Sequence, residues 1–372
     1  MKVKAAVCRK YGDPLSIEEL ELAAPKEHEV QVKILACGFC QSTLHCWTGQ
    51  LPVPLPMIFG HEACGVVEKV GPGVTKLKPG DRVIGCWMVP CGKCFQCMRG
   101  RPNLCEKSIE YFRTGDLLDG TSRFTDKHGK EVKMDAFIGG FSTHSIFPEI
   151  GAIRVPDHIK LPPEQLCLLG CAILTGWGSV TNVAKATEGT SIGIWGCGGI
   201  GLNAIRAAAL RHCRPIVAVD LEASKRDIAL EFGATHFIDS SKNDPIPIIM
   251  ELTGGTGLEY AVEAIGDPGA QVQAWWSLRM GASLIAIGVT PTDSVTHIPL
   301  AFGPLQGKSI RGALYGDAHP VEDIPIMMEL MNNGLLKTNQ LVTRTIRLED
   351  LEETRRAMEA RKIIGRWVVK FE

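Results

Sequence analysis

The sequence predicts an α/β protein of two domains, one mostly β and one a doubly wound parallel sheet. Three observations carry this. Before about residue 170, short β-rich runs alternate with turns. After Cys171 the rhythm changes to strand, helix, strand. And 372 residues are long for one core but comfortable for two.

In the first part, Lys2 to Val7, Val30 to Leu35 and Arg82 to Ile84 read as strands separated by Gly, Pro and charged residues, as in an irregular antiparallel domain. The polar stretch from Glu106 to Lys133 reads as a long surface excursion. In the second part, Ser191 to Trp195 is a buried strand and Ile200 to Leu210 an alanine-rich helix. Ile216 to Val219 is the next strand, and Ala223 to Phe232 is helical. Strands recur at His236 to Ile238, Tyr260 to Val262, Leu284 to Ile287 and near Ile310, giving six in all. From Gly316 the pattern stops extending this sheet. The expected domains are therefore 1–172, 173–315, and a tail, 316–372, that returns to the first.

A net charge of -1 gives no broad attraction to nucleic acid or to an anionic membrane. No apolar run is long enough to span a bilayer, the lysine-flanked start lacks a signal-peptide core, and Val369-Lys370-Phe371-Glu372 is no targeting tail. A cytoplasmic location is expected. There the fourteen cysteines point to metal binding or catalysis before disulfides.

Gly196-Cys197-Gly198-Gly199-Ile200-Gly201 fits G-x-G-x-x-G and directly joins a buried strand to a helix. In such a loop the first glycine permits a tight turn and the second lets backbone approach a pyrophosphate. The third allows close helix–sheet packing, and the helix N-terminus offers free N–H groups. Asp220 ends the next strand, nineteen residues past Gly201. A carboxylate there accepts hydrogen bonds from ribose hydroxyls and repels a 2′-phosphate, which favours NAD over NADP. Lys225, one helical turn on, is placed to cover the same ribose.

Cys91-x2-Cys94-x2-Cys97-x7-Cys105 gathers four thiols in fifteen residues. That suits a closed tetrahedral zinc. A ferredoxin-type cluster loop brings its fourth cysteine sooner and follows it with Pro, where this chain has Glu106. A second set is dispersed: Cys40 before the short helical segment Gln41 to His45, His61 and Glu62 after a strand, and Cys171 at the domain junction. Two thiolates and one imidazole leave one zinc position open for substrate. Cys37, Cys46, Cys64, Cys86, Cys167, Cys197 and Cys213 read as small buried residues.

With these motifs together, the chain resembles the zinc-containing medium-chain alcohol dehydrogenases along nearly all its length. Gly60-His61-Glu62-x2-Gly65-x5-Gly71-x2-Val74 fits that family's zinc signature. Gly170-Cys171, Thr175-Gly176, the four-Cys loop and the glycine fingerprint fall in family order, and Asp119 to Phe124 looks like the dimeric class I and class III branch. The resemblance implies a GroES-like catalytic domain, a Rossmann coenzyme domain, NAD, two zinc ions per subunit and a homodimer. It places Cys40, His61 and Cys171 on catalytic zinc, Cys91, Cys94, Cys97 and Cys105 on structural zinc, and Glu62 behind the metal. Ser42 would take the alcohol proton and pass it through the nicotinamide ribose to His45 near solvent. Thr175 would pack by the nicotinamide, Arg366 would reach the pyrophosphate, and Trp87 and Phe141 would line the substrate pocket.

Three positions depart from the family pattern. Gln41 stands where many relatives have a basic residue, which is expected to loosen coenzyme. Thr43 stands where an aspartate commonly orients the zinc-ligand histidine. Ile109 stands where the class III arginine for glutathione aligns, with Arg113 nearby. The expected activity is oxidation of primary alcohols, aromatic and allylic ones among them. The alternatives are S-(hydroxymethyl)glutathione dehydrogenase, a reductase of an activated C=C or C=N bond, and a zinc-stabilised NAD sensor without turnover. Retention of the open metal set together with Ser42 and His45 argues against the sensor.

Overall fold

The computed structural model describes residues 1–299 and 301–372. The chain divides into two units, Met1–Ala172 with His319–Glu372, and Ile173–Ala318. The tail thus belongs with the N-terminal part, from His319 rather than from Gly316.

Unit 1 is built from twelve strands. In chain order they are β1 (Lys2–Cys8), β2 (Ser16–Leu22), β3 (Glu29–Gly38), β4 (Met57–Ile58), β5 (Glu62–Val70), β6 (Arg82–Gly85), β7 (Phe124–Thr125), β8 (Glu131–Met134), β9 (His144–Pro148) and β10 (Ala152–Arg154). Strands β11 (Val342–Ile346) and β12 (Arg366–Lys370) come from the tail. A closed barrel runs β1-β2-β7-β8-β4. A second sheet runs β10-β6-β5-β3-β12-β11, with β9 also pairing β3. The tail is held by main-chain pairing, since Val368, Val369 and Lys370 of β12 lie opposite Gly38, Cys37 and Ala36 of β3. Alternate residues of β1 and most of β3 face one apolar core that includes Val7, Val32, Phe39, Phe59 and Phe141, all with no exposed surface.

The stretch from Glu106 to Lys133 is more than a surface excursion. It contributes a helix, Glu106–Thr114, and strands β7 and β8 of the barrel. Leu117, Phe124 and Val132 are wholly buried in it, and their apolar side chains are spaced too widely to show as a periodic run. Arg123, 2% exposed, anchors the stretch through Nε to Glu29 at 2.9 Å.

Unit 2 holds strands β13 (Ile192–Trp195), β14 (Ile216–Asp220), β15 (His236–Asp239), β16 (Leu258–Glu263), β17 (Leu278–Ala286) and β18 (Ser309–Gly312). The order is β15-β14-β13-β16-β17-β18, every pair parallel. That is the 3-2-1-4-5-6 order of a dinucleotide-binding sheet. Its interior strands β13 and β14 are buried at every residue, as expected where both faces are covered. Among the described residues no single helix is long and apolar enough to cross a membrane.

Candidate metal centre and coenzyme loop

Cys40 caps the helix Gln41–Thr48, which follows directly on β3. His61 lies between β4 and β5, and Cys171 closes a short 3-10 turn, Cys167–Gly170. These three residues are far apart in sequence, yet their ligand atoms lie within 4.8 Å of one another, and all three are buried. A tetrahedral zinc with bonds of about 2.0–2.3 Å needs such convergence. The donor set, two thiols and an imidazole, fits zinc with one coordination position left over.

The surrounding charges prepare these ligands. A hydrogen bond from Cys171 holds the Cys40 thiol well below the usual thiol range; desolvation opposes this, and Arg366 assists it. Cys171, the other half of that pair, is pushed up. Desolvation disfavours a charged His61, but the charge and hydrogen bond of Asp135, and then Cys40, outweigh it and raise the imidazole. Glu62 has no exposed surface; Arg366 donates to it through Nη2 at 2.9 Å and Nε at 3.2 Å. The Glu62 carboxylate also accepts the Ala172 N–H at 3.2 Å, which ties the Cys171 turn to the site.

The Ser42 hydroxyl lies 3.2 Å from Cys40 Sγ and 3.3 Å from His61 Nε2, on the metal set itself. His45 follows on the same helix, 6% exposed, with Nε2 3.0 Å from the Gln41 amide nitrogen and Nδ1 buried without a hydrogen bond. It therefore does not sit near solvent as expected. Burial lowers its proton affinity, with Cys40 opposing.

Three further expectations need correction. Arg366 is turned into unit 1, 4% exposed, onto Glu62 and onto Cys40 Sγ at 3.3 Å; a buried carboxylate demands that partner. Phe141 is core rather than pocket wall, since its ring stacks on Phe39 at 5.9 Å and 9° and its surface is fully covered. Thr43 does leave the helix without a carboxylate, and its buried hydroxyl has no partner. His61 nevertheless has one, because Asp135 Oδ2 lies 2.9 Å from its Nδ1. The available signal was a lone carboxylate within the otherwise apolar run Met134 to Phe141. Trp87 stands edge-on to His61, ring centres 6.4 Å apart, and beside Phe112 at 6.3 Å.

The second metal set is closed. The sulfurs of Cys91, Cys94, Cys97 and Cys105 lie within 4.8 Å of one another. The Cys91 N–H donates to Cys105 Sγ at 3.2 Å and the Cys97 N–H to Cys94 Sγ at 3.5 Å, as suits thiolate ligands.

In unit 2, Gly196 turns with φ +93°, between β13 and the helix Gly199–Leu210, on which Ile200 is half-buried. A Cβ on Gly201 would stand 1.7 Å from the Gly196 carbonyl oxygen, so only glycine lets the helix approach. A Cβ on Gly198 would meet nothing within 4 Å, leaving that backbone open for a pyrophosphate. Asp220 accepts the Cys197 N–H at 2.7 Å, the Glu222 N–H at 3.0 Å and Lys225 Nζ at 3.0 Å. Lys225 is thus salted onto the carboxylate itself. Thr175 is 6% exposed, next to Gly176, where a Cβ would meet the Ile200 carbonyl at 2.2 Å.

An open Cys₂His set in one unit and a dinucleotide fold in the other define a zinc-type dehydrogenase. Comparison with known proteins agrees. The alcohol dehydrogenase GroES-like domain matches residues 26–157, and the zinc-binding dehydrogenase domain matches residues 199–333. An NDMA-dependent alcohol dehydrogenase from Amycolatopsis methanolica is 36% identical over 95% of both chains. Among solved structures, an alcohol dehydrogenase zinc-binding domain protein from Burkholderia ambifaria is 33% identical, covers 100% of this chain and 99% of its own, and has a TM-score of 0.93. Benzyl alcohol dehydrogenase from Acinetobacter calcoaceticus is 30% identical over 100% of both chains, TM-score 0.92. The chain belongs to the zinc-containing medium-chain alcohol dehydrogenase family. It is an oxidoreductase acting on alcohols.

Proposed function

We propose that the chain is a NAD-linked alcohol dehydrogenase that oxidises primary alcohols, aromatic and allylic ones among them, to aldehydes. One observation carries the reading: the Ser42 hydroxyl stands 3.2 Å and 3.3 Å from two of three converging metal-ligand atoms. Zinc held by Cys40, His61 and Cys171 would supply Lewis acidity toward an alcohol oxygen, and a nicotinamide coenzyme would supply the hydride acceptor. Ser42 is placed to take the alcohol proton, and His45, one helical turn on, is kept neutral by burial and ready to receive it. Glu62 and Arg366 fix the Cys40 side of the set. The rings of Trp87, beside His61, and of Phe112 next to it support an aromatic substrate, as does the likeness to the Acinetobacter benzyl alcohol dehydrogenase.

Asp220 supports NAD over NADP, since a 2′-phosphate would face its carboxylate. The Cys40-His61-Cys171 and four-Cys sets support two zinc ions per subunit. A homodimer is supported by β18, an edge strand with Ser309, Ile310, Arg311 and Gly312 all exposed. Met280 and Leu305, 70% and 74% exposed, are apolar surface in the same unit. All fourteen cysteines are free, which supports a reducing, cytoplasmic setting.

The test is a zinc-replete screen of aliphatic, benzylic, allylic and glutathione-adduct alcohols, with added NAD⁺ or with NDMA, named for the Amycolatopsis relative. Benzylic or allylic oxidation with NAD⁺ is expected. Turnover of the glutathione adduct alone, or none with either acceptor, overturns the reading.

A further inference from the structure

We infer that Asp135 is the positioning residue of the catalytic metal set, acting through His61. The inference rests on Cys40, His61 and Cys171 binding zinc, as proposed above.

Asp135 and His61 are brought together by main-chain pairing. Strands β4 and β8 run parallel, with Met57 opposite Lys133 and Ile58 opposite Met134. His61 follows three residues after the end of β4, and Asp135 one residue after the end of β8, so the ladder delivers both to the same end of the strand pair. There Asp135 Oδ2 lies 2.9 Å from His61 Nδ1 and accepts the Gly60 N–H at 3.3 Å. The carboxylate is 4% exposed. An acceptor on Nδ1 fixes the imidazole as the Nδ1–H tautomer and leaves the Nε2 lone pair for a metal. Nε2 is the nitrogen beside Ser42 Oγ.

The turn that holds Asp135 is tightly determined. Ala136 and Phe137 both have positive φ, 53° and 64°, a conformation such residues rarely adopt even singly. Around them the Ile138 and Gly139 N–H groups donate to the Asp135 carbonyl at 2.9 and 3.1 Å. The Gly140 N–H donates to the Gly60 carbonyl at 2.7 Å, and the Phe141 N–H to that of Phe59 at 2.9 Å. The segments carrying the ligand and its carboxylate are thus stitched to each other on both sides. The helix Gln41–Thr48 offers no alternative, having no acidic residue. The carboxylate that aims the metal-ligand histidine therefore comes from the turn that follows barrel strand β8, not from the helix bearing Ser42.

The experiment measures zinc affinity by chelator competition on the full-length zinc-loaded protein, with the four-Cys zinc as internal control. Asp135→Asn should raise the dissociation constant of one zinc by roughly 10- to 100-fold and leave the other unchanged. Cobalt substituted at the same set should show an altered d–d spectrum. Because Asp135→Asn removes a buried charge and can weaken the fold, the decisive arm is a His61→Cys background, in which the ligand sulfur has no second nitrogen to aim. If Asp135 acts through His61, Asp135→Asn adds less than twofold there; a merely structural Asp135 costs the same in both backgrounds, and that result overturns the inference. If the wild type holds two zinc ions and Asp135→Asn keeps both within twofold, the inference on Asp135 fails alone. If the wild type binds only the four-Cys zinc, the metal reading fails and takes the inference with it.

Discussion

Arg366 and Glu62, 304 positions apart in the chain, form an ion pair whose side chains are 5% and 0% exposed, and the same guanidinium reaches Cys40 Sγ. The pair joins the tail to the strand that follows the metal-ligand histidine. Arg366→Met leaves a buried carboxylate without its cation, and the fold should lose about 3–5 kcal/mol in urea denaturation. Adding Glu62→Gln should recover most of that loss, since no charge then remains to be compensated. A single variant as stable as wild type would show that the pair contributes nothing.

Metal content should separate the two thiol-rich sets. Cys171→Ala should lose about one zinc per subunit with the fold retained. Cys94→Ala should lower the melting temperature as well, because the closed set ties together a loop with little core of its own. Elemental analysis and thermal scans of the two variants decide this, and one zinc in fully active wild type contradicts it.

Coenzyme choice should follow Asp220. Wild type should prefer NAD over NADP by kcat/KM, and Asp220→Ser should narrow the preference by removing charge from the ribose site. Lys225 will then lack its partner and is free to meet a 2′-phosphate, which works in the same direction. Equal use of both coenzymes by wild type would contradict this assignment.

Proton removal should depend on Ser42 and His45 in different ways. Ser42→Ala should cut alcohol oxidation severely, and Ser42→Thr should be tolerated, because the hydroxyl is what the chemistry needs. His45→Gln should lose about ten- to ten-thousand-fold, with partial rescue by small exogenous bases. If Ser42→Ala oxidises alcohol at the wild-type rate with zinc and NAD bound, the relay is absent.

The same burial gives His45 a pH signature. Desolvation disfavours the imidazolium, so the folded chain holds this proton less tightly than the ordinary 6.5. In the window below 6.5 the unfolded chain binds more protons, so the stability contribution is full above 6.5 and declines as pH falls through the folded value. The acid limb of kcat/KM should accordingly turn over below 6.5 and vanish in His45→Gln. A limb unchanged in that variant assigns the titration to another group.

Much of this protein was legible in its sequence because local rules carried it. The loop Gly196 to Gly201 needs glycine where a Cβ would strike backbone, and that requirement appears as spacing. Four cysteines within one loop announce a closed metal set for the same reason. Asp220 could be placed because it ends a strand directly after the glycine loop's helix. The tertiary structure alone decided the rest. Asp135 is 74 positions from His61, and nothing local in either segment indicates that β4 and β8 pair in parallel. Arg366 was expected on a pyrophosphate from the family resemblance alone, and nothing local in its strand shows the buried carboxylate 304 positions away that it pairs with. Phe141 and His45 were placed by the family resemblance, but whether a ring lines a cavity or fills a core depends on what packs against it. Sequence spacing encodes contacts within one element or one loop; contacts between elements are set by strand pairing and by the balance of buried charge.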